Sequence, residues 1–286
     1  MKKILIFSLL SVFSAYSFAQ EAAEKSIHAG VVVGMGTSLM NEETNFVNQD
    51  GIGFDFVPGI VMDWSFSKNI ALSLGLEFDF NRFKYNFKNI NGQGNLYVAY
   101  SDRSILTKEE IENSSNYSAF MMEQRRNRTT YLTVPTMIKF QTNHMGYMRY
   151  YAKFGLRNSF RLKSRADFYG TGFDFSTLSK NEELTELTDM AIPNDVSLYR
   201  GAIGMSFGAE WNFAGGTSLV GEIGYYIGFS NVHRGDALTG DDRDRNKTIF
   251  HLDGVDINEG IKNENRNFEV ANAKQNMLLF KIAILF

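Results

Sequence analysis

The chain has 286 residues, 44% of them hydrophobic, with a formal net charge of −3 and no cysteine. That is ample apolar material for a packed core, but too mild a charge to imply a nucleic-acid or polyanion partner. The lack of cysteine excludes disulfides, thiolate metal sites and a lipid-bearing N-terminal cysteine.

Lys2 and Lys3 precede an apolar stretch from Ile4 to Phe13, and Ser17-Phe18-Ala19 offers small residues ahead of Gln20. Residues 1–19 therefore read as a signal peptide, expected to be cleaved, because the stretch falls short of the roughly 20 apolar residues of a membrane-spanning helix. Residues 20–286 are expected to form one exported domain.

From Ile27 onward the hydrophobic pattern has period two, which is the mark of a strand. Over Ile27 to Leu39, Val31, Val33, Met35 and Leu39 oppose Gly30, Gly34, Gly36 and Ser38. Next, Phe54, Phe56, Ile60, Met62, Trp64 and Phe66 alternate with Asp55, Gly59, Val61, Asp63 and Ser65. Beyond Ser67-Lys68-Asn69, Ile70, Leu72, Leu74, Leu76, Phe78 and Phe80 alternate with Ala71, Ser73, Gly75, Glu77, Asp79 and Asn81. Further strands are expected over Leu132 to Phe140 and Met148 to Leu162, the latter setting Tyr150, Phe154, Leu156 and Phe160 against Arg149, Lys153, Arg157 and Arg161. The run beginning at Tyr199 places Ile203, Met205, Phe207, Trp211 and Phe213 against Arg200, Gly204, Gly208 and Glu210. Leu219 to Phe229 repeats the pattern, as does the tail, where Leu278, Phe280, Ile282, Ile284 and Phe286 form one face and Lys281 lies on the other.

A single such strand would suit a soluble sandwich; eight in succession, each of about ten residues or more, match what tilted strands need to cross a bilayer. Short turns follow Phe66, Gln141 and Phe213, while long polar segments fill 41–51, 87–129, 167–198 and 230–273. That alternation predicts an all-β fold, an eight-stranded antiparallel transmembrane barrel with short periplasmic turns and four longer extracellular loops. Closure follows because lipid offers the backbone no hydrogen-bond partner. Trp64, Phe66, Trp211, Phe213, Tyr131 and Phe286 suit an interfacial aromatic girdle, or are ordinary strand aromatics.

The opposite faces carry Asp55, Asp63, Glu77, Asp79, Glu210 and Glu222 against Lys139, Arg149, Lys153, Arg157, Arg161, Arg200 and Lys281. Side chains fill the interior of so narrow a barrel, so these near-balanced charges predict a salt-bridged plug rather than a proton or ion path. Catalytic signals are thin. His233 with Asp236, or His251 with Asp253, would suit an acid/base pair, but solvated loop histidines explain them as well. The stretch 241–253 fails the calcium-loop pattern at Lys247 and Asp253. No metal, cofactor or catalytic residue is assigned, and the protein is expected not to be an enzyme. Loop residues Leu96, Tyr97, Val98, Tyr100, Tyr117, Phe120, Met121 and Met122 form either a partner surface or a packing layer between loops. Thr107-Lys-Glu-Glu110 predicts a capped helix over Lys108 to Asn113.

Within "YLTVPTMIKF", the residues Tyr131, Leu132, Val134, Pro135, Ile138, Lys139 and Phe140 resemble the central signature of the PorT-like outer-membrane barrel family common in Bacteroidetes. "YYAKFGL", the Gly-rich "GAIGMSFGAEW" and an apolar last strand add to the resemblance. It implies a non-enzymatic barrel in the outer membrane of a Gram-negative bacterium, acting in a complex for protein export such as type IX secretion, or for outer-membrane assembly. An outer-membrane protease or lipid-modifying enzyme and a small-solute channel or surface-binding barrel are the alternatives. The expected partners are outer-membrane lipid, outer-membrane proteins reached through the extracellular loops, and the assembly machinery, whose C-terminal signal Phe280, Ile282, Ile284 and Phe286 resemble.

Overall fold

The computed structural model describes residues 27–42, 47–87, 95–113, 117–174, 177, 179–192, 195–214, 216–233, 247–252, 266–269 and 273–286. The expected signal peptide, Asp236, Asp253 and most of 241–253 lie outside the described residues. In chain order the elements are β1 (Ile27–Glu42), β2 (Val47–Gln49), β3 (Gly53–Ser65), β4 (Ile70–Phe87), β5 (Leu96–Ser101), β6 (Ser104–Ile105), α1 (Lys108–Asn113), β7 (Ser118–Gln141), β8 (Met148–Asp174), β9 (Ser179–Met190), β10 (Tyr199–Ala214), β11 (Thr217–Gly228), β12 (Ile249–Leu252), β13 (Arg266–Glu269) and β14 (Ala273–Leu285). Antiparallel pairing runs β1–β3–β4–β7–β8–β10–β11–β14 and back to β1, so eight strands close a ring. The seam between first and last strands is long, from Gly30 opposite Leu285 to Glu42 opposite Ala273.

The two faces sort as lipid on the outside requires. Val31, Phe54, Ile60, Phe78, Ile138, Phe154, Met205, Ile223 and Ile282 are exposed on the outer wall, and glycines, serines and charged groups point inward. Trp64 with Phe66 (4.9 Å between ring centroids) and Trp211 with Phe213 (6.1 Å) flank the short-turn end, facing out. Tyr131, expected in that girdle, is fully buried instead. It shares the inward parity of Lys139 eight residues later, so its ring cannot reach the lipid. Pro135 also faces inward; the β4–β7 ladder skips it, and a Cβ on Gly75 would sit 2.9 Å from its ring, so Gly75 makes the room the proline needs. The ladder between β3 and β4 skips Pro58 in the same way.

The walls rise much higher than the sequence pattern indicates. β7 begins at Ser118 rather than Leu132, and β8 runs on to Asp174 rather than ending at Leu162. Past Asn81, β4 reverses its alternation: Phe83, Tyr85 and Phe87 turn inward and are buried, while Arg82, Lys84 and Asn86 face out. Outside the membrane the solvent is water, so the apolar side chains go to the interior. A search for apolar-outward strands reads that reversal as loop.

Above the barrel the extended walls join a sheet ordered β13-β12-β5-β7-β8-β9. Its inner face, with Leu96, Val98, Phe120, Met122 and Ile249, packs on Phe83, Tyr85, Phe87 and Phe168 and closes the barrel mouth. Its outer face, with Tyr97, Ala99, Met121 and Phe250, is covered by Ile111 of α1. The loop cluster expected as a partner surface or a packing layer is therefore a packing layer. α1 spans the expected residues, with the Glu110 carboxylate accepting from Thr107 N–H (2.8 Å) and Thr107 hydroxyl (3.0 Å) in a capping box.

Candidate functional site in the barrel interior

Three tiers of charge fill the lumen. At the periplasmic end Lys139 contacts Asp63 (2.6 Å) and Glu210 (3.3 Å), Glu210 also takes Arg149 (2.7 Å), and Lys153 pairs with Glu222 (2.8 Å). In the middle, Glu77 is shared by Arg157 (2.7 Å) and Lys281 (2.5 Å) through its two oxygens. Above these, Arg200 pairs with Asp79 and donates to Gln275 (2.8 Å). Asp55 has no cation within 4 Å among the described residues; Ser38 and Asn81 donate to it instead. Arg161, expected within the network, is half-buried opposite Tyr131 and pairs with no carboxylate among the described residues.

Tyrosines complete the cages. Lys139 and Lys153 lie 4.5 and 5.0 Å from the Tyr151 ring, Arg157 lies 5.1 Å from Tyr226, and Arg200 lies 4.0 Å from Tyr131. An ion moved from water into such a space costs several kcal/mol, which mutual pairing and ring contact offset. A cavity of about 40 Å³, lined by Asp63, Glu77, Lys139, Lys153, Glu222 and Lys281 among others, remains between the lower tiers, room for a few waters at most.

A fourth polar group sits at the level of the apolar layer that closes the mouth, since Arg125 lies opposite Tyr85 and Phe168. His233 Nε2 is 2.9 Å from the Tyr85 hydroxyl, His233 Nδ1 is 3.4 Å from Asp195, and Arg125 pairs with Asp195 while donating to Asn127 (2.6 Å). This group stitches 195–197 to 232–233, since Ser197 N–H donates to the Val232 carbonyl (2.8 Å). Expected as a loop histidine or an acid/base partner of Asp236, His233 is 2% exposed, out of reach of a substrate. His251 lies half-buried on β12. Sequence reasoning missed Arg125 and Asp195 because both fall in segments that read as polar loops. Among the described residues no cluster of three or more histidines and carboxylates could hold a metal ion.

Burial alone would raise the Asp195 carboxyl, but Arg125 and then His233 outweigh it and hold the group well below the usual carboxylate range. A carboxyl depressed in this way stabilises the fold above its unfolded pKa of about 4 and loses that contribution as pH falls through the folded value. Asp195→Asn, which leaves Arg125 buried without its anion, is expected to loosen the extracellular layer by about 3 kcal/mol at pH 7. Hydrogen exchange across β5, β7 and β8 should show it, with the gap between variant and wild type narrowing progressively below about pH 4. Equal exchange at pH 7 would refute the role given to this pair.

The terminal residues Phe280, Ile282, Ile284 and Phe286 all face outward on or just after β14, and Lys281 faces inward between them. In the stretch Tyr131–Phe140, Leu132, Val134, Ile138 and Phe140 face outward while Tyr131, Pro135 and Lys139 face inward.

The chain is similar to several solved barrels at low identity. Neisserial surface protein A is 8% identical, with 91% of this chain and 97% of that chain covered and a TM-score of 0.31. Ail, the attachment invasion locus protein of Yersinia pestis, is 10% identical, with 91% and 98% covered and a TM-score of 0.29. The outer membrane protease OmpT from Escherichia coli is 9% identical, with 94% and 99% covered and a TM-score of 0.33. No curated protein matches the chain. The model of the outer membrane protein beta-barrel domain matches residues 18–234, more than half the chain. Closed ring, lipid-facing apolar wall and family match agree: the chain belongs to the outer membrane protein beta-barrel domain family.

Proposed function

We propose that the protein is a non-enzymatic, non-conducting barrel that serves as a structural and interaction component of an outer-membrane complex. One observation carries this reading: the lumen is filled by paired charges and its outer mouth is closed by an apolar layer, which leaves the surfaces as the places where work is done. His233, the histidine paired with a carboxylate, is buried among the described residues, which favours a structural role for that pair. The resemblance of Tyr131–Phe140 to the PorT-like family supports a place in protein export, with outer-membrane assembly as the other process such a barrel would serve.

Two measurements test the proposal. The full chain reconstituted in planar bilayers is expected to give no discrete conductance steps at salt concentrations where porins conduct; regular steps would overturn the closed-lumen reading. Cross-linking in native outer membranes followed by mass spectrometry is expected to give heavier species containing outer-membrane or periplasmic proteins. A monomer that cross-links to nothing would overturn the component reading.

A further inference from the structure

We propose that the outer wall of the barrel, immediately above its apolar belt, binds the phosphorylated headgroup of an outer-leaflet lipid. On β4 the lipid-facing series through Phe78 and Phe80 is followed by Arg82 and Lys84. On β7 the outward series above Leu132 and Thr130 is Arg128 and Arg126, and on β8 Phe160 and Leu162 are followed by Lys163 and Arg165.

Register brings these cations together. Arg82 lies directly opposite Arg128, and Arg128 directly opposite Arg165, so three guanidinium side chains stand in one row across three adjacent strands. Lys84 faces Arg126 one row higher, and Lys163 faces Thr130 one row lower. Adjacent strands are about 4.8 Å apart, and like charges placed directly opposite destabilise a sheet. Of the carboxylates nearby, Asp167 (2.7 Å) and Asp189 (3.4 Å) both contact Arg128, and Asp167 also lies directly opposite Arg126 in the ladder. Arg126 lies 5.4 Å from the Tyr169 ring. Among the described residues no carboxylate lies within 4 Å of Arg82, Lys84, Arg126, Lys163 or Arg165, and Arg128 and Arg165 each keep a buried Nε without a hydrogen-bond partner.

Position selects the ligand. The row stands where the outward face changes from exposed aromatics to polar groups, on the long-loop side, which is the headgroup level of the outer leaflet. Guanidinium forks fit phosphate oxygens in pairs. Acyl chains descending from that phosphate would lie on Phe78, Phe80, Phe160 and Leu162, all exposed. A soluble anion would meet the row yet use none of those aromatics.

The test is native mass spectrometry of the full chain in detergent, with diphosphorylated lipid A, the same lipid dephosphorylated, and inorganic phosphate as probes. Wild type is expected to hold the diphosphorylated lipid about tenfold or more tightly than the variant Arg82→Gln, Arg128→Gln, Arg165→Gln, and to prefer it similarly over the dephosphorylated form. Inorganic phosphate at the same concentration should not displace it. Lys68→Gln, in a periplasmic turn, should bind as wild type does, and a heat-sensitive gel shift reports that each variant is folded. If the triple variant fails to fold, Arg82→Gln alone, which removes an exposed side chain, is expected to weaken binding severalfold. Equal binding by the folded arginine variants, equal binding of the dephosphorylated lipid, or displacement by phosphate would each overturn the proposal.

Discussion

Glu77→Leu is expected to destabilise the folded barrel by about 3–5 kcal/mol, the cost of leaving a buried partner charge uncompensated. Glu77 is chosen over its neighbours because it is the sole carboxylate within 4 Å of both Arg157 and Lys281 among the described residues. Loss of Asp63 would be milder, since Lys139 would still have Glu210 at 3.3 Å. Urea unfolding in micelles, followed by the heat-sensitive gel shift, should show a lower midpoint for Glu77→Leu than for Asp63→Leu. Replacing all three charges, as Glu77→Leu with Arg157→Met and Lys281→Met, is expected to recover most of the loss, because apolar side chains of similar volume carry no desolvation cost. A single variant as stable as wild type would show that the tier does not hold the lumen together.

Gly30→Val is expected to prevent the barrel from closing. A Cβ at this position would sit 1.9 Å from the Ile284 carbonyl oxygen and 2.9 Å from the Leu285 Cα. Those are backbone atoms of β14, so relief requires the first and last strands to separate. Overpacking in ordinary cores costs about 1–3 kcal/mol, and a backbone clash in the closing seam is expected to exceed that. Gly221→Ala is the comparison: on lipid-facing β11 its added methyl meets nothing within 4 Å. The first variant should run only as the unfolded band after refolding into micelles, the second as wild type. A folded, heat-sensitive Gly30→Val would mean that the seam is looser than the register implies.

Much of this architecture was legible because lipid enforces a strict code. From Val31 to Leu39, or from Ile70 to Phe80, large side chains on alternate residues have no use in a soluble protein unless another layer covers them. Eight repeats with alternating turn lengths leave little besides a barrel. The inward charges were legible for the same reason: Lys281 between Phe280 and Ile282 has only the lumen to point into. Their pairing was not, because Glu77 and Lys281 are far apart in the chain and meet only through closure of the ring. Tyr131 was misplaced because its position near a strand end outweighed its parity. The extracellular half was hidden for a different reason. At Phe83, Tyr85 and Phe87 the alternation continues with its sign reversed, and Arg125, Asp195 and His233 come from three segments that each look like ordinary polar loop.

The continuous strands through that reversal bear on mechanics. β8 alone has 27 residues, roughly 90 Å along its length at 3.4 Å per residue, and a single bulged residue, Leu162, lies between its part in lipid and its part in water. β7 runs beside it for most of that distance. A pull on the extracellular tip therefore loads a long antiparallel ladder in shear, with many hydrogen bonds sharing the force instead of yielding one at a time. The molecule is a stiff mast stepped in the membrane, and a force applied at its tip is felt at the level of the acyl chains.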